Sequence, residues 1–132
     1  MRIAVLGATG ATGLDLVDLA LHRGWEVVAV IREPSVLTAT DGLTLIRGDV
    51  LATDVIARAL PGTRAVISLL GFHRHLRGPA STDLYSRSAR SLVDAMTGTS
   101  SARLVYTTSA GVEHGDPSEL WPYRHLVKPL WL

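Results

Sequence analysis

Several things are scarce in this chain, and each scarcity removes a class of explanation. It contains no cysteine, so disulfides and thiolate zinc sites are excluded, and nothing points to an oxidising compartment. A cytoplasmic protein is therefore the expectation. Charge is thin and nearly balanced: 13 Lys and Arg stand against 12 Asp and Glu, a formal net charge of +1. That balance cannot supply the field used by proteins that bind a phosphate backbone, so no nucleic-acid partner is expected. Long apolar runs are missing too. The run that starts at Met1 breaks at Gly7 and Gly10, short of a signal-peptide core. No stretch approaches the roughly 20 apolar residues of a membrane-spanning helix, so no membrane role is expected.

What is present is apolar bulk in a short chain. The 132 residues are 47% hydrophobic with a mean hydropathy of +0.25, which favours one compact domain over residues 1–132 with most apolar side chains buried. Short β-branched runs alternate with longer helix-like segments, the pattern of βαβ units building a parallel sheet. Strands are predicted at Arg2 to Leu6, Glu26 to Ile31, Leu43 to Ile46, Ala65 to Leu70 and Arg103 to Thr107. Between them, helices are predicted over Thr12 to His22, around Asp54 to Leu60, and over Thr82 to Met96. Leu14, Val17, Ala20 and Leu21 mark the buried face of the first helix, and Leu84, Ala89, Leu92, Val93 and Met96 that of the third. The expected fold is an α/β, Rossmann-type, doubly wound parallel sheet in the order 3-2-1-4-5. The tail from Leu120 to Leu132 is rich in Trp, Pro and Leu and leaves self-association into a homo-oligomer open.

The segment Gly7-Ala8-Thr9-Gly10-Ala11-Thr12-Gly13 lies between the first strand and the first helix. A glycine turn in that position brings backbone N–H groups and the positive end of a helix dipole against a pyrophosphate. Gly7 would allow the sharp turn, Gly10 the approach of the phosphate and Gly13 the close packing of the helix. The alternative is a tight turn with no ligand. At the end of the second strand a dinucleotide site needs an acid for a free ribose 2′-hydroxyl or a cation for a 2′-phosphate, and Arg32 stands there. NADP is thus the expected cofactor and NAD the lesser fit, through Glu33. Asp49 ends the third strand, where it either accepts from adenine or caps the next segment. Leu70 and Gly71 close the fourth strand at the switch point of such a sheet.

With those residues in place, the chain resembles the atypical short-chain dehydrogenase/reductases, specifically the NmrA-like branch that includes the biliverdin-IXβ (flavin) reductases. The resemblance covers Met1 to about Asp116 and rests on the glycine loop, Val30-Ile31-Arg32, Gly48-Asp49-Val50, Leu69-Leu70-Gly71 and Thr107-Thr108-Ser109-Ala110. It implies cofactor contacts at Gly7, Thr9, Gly10, Ala11, Thr12, Gly13, Arg32, Asp49, Val50, Leu70 and Gly71. It also implies that Ser109 sits beside the nicotinamide, where its hydroxyl could orient an acceptor. A serine that merely finishes a strand is the plain alternative.

Three departures from the family pattern matter. The Tyr-x-x-x-Lys acid/base pair of typical short-chain dehydrogenases is absent, because Tyr123 and Lys128 are one residue too far apart, which leaves Tyr123 a minor catalytic candidate. No second cation follows Arg32 within a few residues, Val36 being apolar. Relatives continue beyond the position of Leu132, so the chain reads as C-terminally shortened. The loop after Gly71, with His73, Arg74, His75 and Arg77, is a poor metal site because no carboxylate or cysteine stands nearby. The expected activity is hydride transfer from NADPH to a small-molecule acceptor such as a flavin, quinone or carbonyl compound. A non-catalytic dinucleotide sensor acting through a protein partner is the alternative.

Overall fold

A computed structural model of the chain describes residues 1–32, 35–71, 83–97 and 103–107. The elements run β1 (Arg2–Leu6), α1 (Ala11–His22), β2 (Glu26–Ile31), β3 (Leu43–Arg47), α2 (Thr53–Ala59), β4 (Ala65–Ser68), α3 (Asp83–Met96) and β5 (Arg103–Tyr106). The five strands form one sheet in the order β3-β2-β1-β4-β5, and every neighbouring pair is parallel. Fold class and strand order are those expected from the sequence. The order reverses between β1 and β4, which places the switch point at the C-terminal ends of those two strands.

β1 and β2 are central and are covered on both faces, which is why RIAVL and EVVAVI are apolar almost throughout. Alternate residues of these strands feed two cores. Ala4, Leu6, Val28 and Val30 face α2 and α3, where Ile56, Leu60, Val66 and Leu92 are buried with them. Ile3, Val5, Val27, Ala29 and Ile31 face α1 and meet Val17 and Ala20. α1 ends in a Schellman motif: Gly24, at φ +69°, donates to the Leu21 carbonyl and Trp25 to that of Ala20.

Two helix faces match expectation in part: Val17, Ala20 and Leu21 of α1 and Leu92 and Met96 of α3 lie in or against the cores, and one expected residue of each helix is exposed. In α1, Leu14 is exposed, and Gly13, Val17 and Ala20 are the buried positions. In α3, Val93 is 56% exposed, while Ser88, Ser91, Leu92 and Ala95 make the buried stripe. The serines fit there because their hydroxyls are bonded. Ser91 Oγ donates to the Leu51 carbonyl at 2.8 Å, and Ser88 Oγ lies 3.1 Å from both the Tyr85 carbonyl oxygen and the Tyr106 hydroxyl. Among the described residues no helix is long and apolar enough to cross a membrane.

Candidate dinucleotide site

The glycine loop leaves the C-terminal end of β1 and turns into α1 under tight steric control. Gly7 has φ +79°, and a Cβ there would stand 2.7 Å from the carbonyl carbon of Leu69, in the chain just beyond β4. The backbone conformation and the neighbouring strand both require glycine. A Cβ on Gly13 would collide with the Gly7 carbonyl oxygen and the Ala8 backbone, so this glycine packs the helix onto its own loop. The loop is closed by the Gly10 amide donating to the Gly7 carbonyl at 3.1 Å.

Gly10 is different. Its φ of −74° suits any residue, and a Cβ there meets nothing closer than the Gly7 oxygen at 3.4 Å, an ordinary contact. Nothing within the described protein demands glycine at this position, whereas close approach of a ligand to the backbone would. Gly10 is the N-cap of α1, with no side-chain cap and no acidic residue in the first turn. Leu14 makes the first intrahelical bond, to the Gly10 carbonyl, so the amides of Ala11, Thr12 and Gly13 precede the ladder. An acid or a capping hydroxyl would compete with an incoming anion. The open, positively polarised terminus of a twelve-residue helix therefore fits a pyrophosphate.

The other expected contacts lie along the same edge of the sheet. Arg32 is exposed directly after β2, and Thr9, Ala11 and Thr12 are exposed on the loop and first turn. Asp49 Oδ1 accepts from the Leu51 amide at 2.9 Å, an Asx turn made with one oxygen of an exposed carboxylate; α2 itself has Ala52 as its N-cap and no side-chain cap. Val50 is buried among Val28, Val30 and Val55, which leaves only its backbone to meet a ligand. Leu70 is half-buried against the α2/α3 core, and Gly71 is exposed, with no atom of the described residues within 4 Å of an added Cβ. Ser109, Tyr123 and the His73 to Arg77 loop lie outside the described residues. Among the described residues no group of His, Asp and Glu could hold a metal ion.

Comparison with known proteins agrees with this geometry. Residues 7–131 match the family model described as NAD(P)H-binding. The 3 beta-hydroxysteroid dehydrogenase/Delta 5-->4-isomerase of Mycobacterium tuberculosis is 33% identical over 128 residues, covering 86% of this chain and 33% of that protein. The chain therefore spans about a third of that relative's length. Among solved structures, the anaerobillin reductase ChuY of Escherichia coli O157:H7 superposes with a TM-score of 0.63 at 23% identity, covering 84% of this chain and 52% of that one. The Bordetella bronchiseptica enzyme WbmH in complex with NAD+ gives 0.70 at 19%, covering 87% and 42%. At those identities the two structures establish a shared fold.

Proposed function

This chain belongs to the NAD(P)H-binding family, and on that premise we propose that it holds NADP(H) along the C-terminal ends of β1, β2 and β4 and serves hydride transfer to a small acceptor. The observation that carries the reading is Gly10: a glycine that the described residues around it do not require, at an uncapped, acid-free helix terminus.

In this reading the amides of Ala11, Thr12 and Gly13 bind the pyrophosphate, with Gly7 and Thr9 shaping the loop around it. Arg32 meets the 2′-phosphate through a charge-assisted, forked hydrogen bond. The free oxygen of Asp49 and the Val50 backbone line the adenine side, and Leu70 with Gly71 leaves room along the crevice. The nicotinamide supplies the hydride when the cofactor is bound. Ser109 then orients the acceptor with its hydroxyl, and Tyr123 is the second candidate for that task. A flavin, a quinone or a carbonyl compound fits a site without an assigned proton donor to different degrees. The first two fit best, because their reduced products can take a proton from water.

The test is calorimetric titration of the chain with NADPH and NADH, repeated on Arg32→Ala, followed by an acceptor screen monitored through NADPH absorbance. The expected result is tight NADPH binding, weakened by the substitution, and oxidation of NADPH by at least one acceptor. Binding of both redox forms without turnover would replace the enzyme by a sensor; failure to bind either nucleotide would overturn the site itself.

A further inference from the structure

The peptide unit that joins Ser68 to Leu69 is held from both sides, at the point where the sheet reverses its order. Its N–H, the Leu69 amide, donates to the Leu6 carbonyl of β1 at 2.9 Å. Its carbonyl, that of Ser68, accepts twice from the residue that follows β5: the Thr107 amide donates at 3.0 Å, and so does the Thr107 hydroxyl, Oγ1, at 3.0 Å. The amide bond continues the ladder in which Ser68 pairs with Tyr106. The hydroxyl bond is additional and takes up the second lone pair of the carbonyl.

The next peptide unit, Leu69 to Leu70, is the one against which the glycine loop packs. A Cβ on Gly7 would stand 2.7 Å from both the carbonyl carbon and the carbonyl oxygen of Leu69, and 3.0 Å from the Leu70 nitrogen. A rotation of the Ser68–Leu69 peptide would therefore shift the start of the Leu70–Gly71 segment relative to Gly7. On the β1 side that rotation is opposed by a buried strand. On the other side stands β5, whose residues Arg103, Leu104 and Val105 are exposed and which is the edge of the sheet among the described residues. There the second bond, from a side chain stiffened by β-branching, makes up for a less confined strand.

We propose that Thr107 is a positioning residue for the nicotinamide end of the crevice: its hydroxyl, bonded to the Ser68 carbonyl, fixes the Leu69-Leu70-Gly71 segment against the glycine loop. This rests on the dinucleotide reading above, in which the cofactor runs from the start of α1 across the ends of β1 and β4. The adenosine end lies on the other side of β1, at Arg32 and Asp49 beyond β2 and β3. The clamp should thus act on one half of the cofactor and spare the other.

The experiment measures affinity for NADPH, which occupies both halves, and for 2′,5′-ADP, which carries the adenosine half alone. It uses the wild-type chain, Thr107→Val, Thr107→Ala, Thr107→Ser and Thr97→Val. Valine keeps the shape and branching of threonine at this exposed position and removes only the hydroxyl. Thr97 is the control, because its hydroxyl makes a bond of the same kind, to the Val93 carbonyl at 2.8 Å, at the far end of α3. Thermal melting identifies which of the valine and alanine variants is folded and carries the comparison. That variant should bind NADPH about tenfold more weakly, the effect of one lost hydrogen bond, with 2′,5′-ADP affinity unchanged. Thr107→Ser restores the donor and should regain most of the NADPH affinity, and Thr97→Val should match wild type on both probes. Unchanged NADPH affinity in the folded variant, an equal loss on both probes, or an equal loss in Thr97→Val would overturn the assignment while leaving the dinucleotide site intact. A wild type that binds neither probe would instead overturn the dinucleotide reading on which it stands.

Discussion

The glycine loop and the α3 face of the sheet both bring chain segments into close approach, by opposite means. At the loop, side chains are removed: Gly7 and Gly13 sit where any Cβ would strike backbone. Along α3 the side chains remain but are small and polar, and Ser88 and Ser91 reach full or near-full burial with their hydroxyls bonded. A steric constraint leaves a mark in sequence because only one residue type satisfies it. A hydrogen-bond constraint leaves almost none, because serine is equally at home on a surface. The contrast explains why the glycines of the loop can be read in advance and the two buried serines of α3 cannot.

Substitutions at the two regions should therefore fail in different ways. The largest effect is expected for Gly13→Val, which forces the α1 start away from its loop. It should cost about 3 kcal/mol or more in urea denaturation, the upper range for overpacking, and abolish nucleotide binding as well. On the α3 side, Tyr106→Phe removes a hydroxyl that donates to the Tyr85 carbonyl at 2.9 Å and lies 3.1 Å from Ser88 Oγ. Loss of such a bond should cost about 1 kcal/mol. In a double-mutant cycle with Ser88→Ala, the two losses should sum to more than the double variant loses, since each already breaks the shared contact. The smallest effect is expected for Ser68→Ala. Ser68 is fully buried and its Oγ has no partner among the described residues, so its removal should leave the denaturation midpoint unchanged or slightly raised. A large loss there would show that the sheet side of α3 depends on a hydroxyl contact of its own, and would narrow the contrast.

Much of the fold was readable because the central strands are apolar on both faces and the breaks between elements are marked. The bounds of β1 and β2 match expectation, and α1 begins one residue early because Ala11 already joins its first turn. α3 begins one residue later than expected, and of its expected face Leu92 is buried and Met96 packs against the core, while Val93, expected inside by hydropathy, is exposed; Ser88, Ser91 and Ala95 complete the buried stripe at helical spacing. The site divides in the same way. Gly7 and Gly13 are visible along the chain because only glycine satisfies their steric constraint. Val50 was a cofactor contact by resemblance, but its side chain belongs to the core.

The central claim is that the glycine loop is shaped for a dinucleotide and not merely for a turn, and Gly10 separates the two. The decisive measurement is NADPH affinity by calorimetry alongside urea stability for the wild type, Gly10→Ala and Gly10→Val. The account predicts stability within about 1 kcal/mol of wild type, since an added Cβ meets only the Gly7 oxygen at 3.4 Å, together with NADPH affinity reduced at least about tenfold. Unchanged affinity in a folded Gly10→Val variant would contradict it and leave the loop as a structural turn.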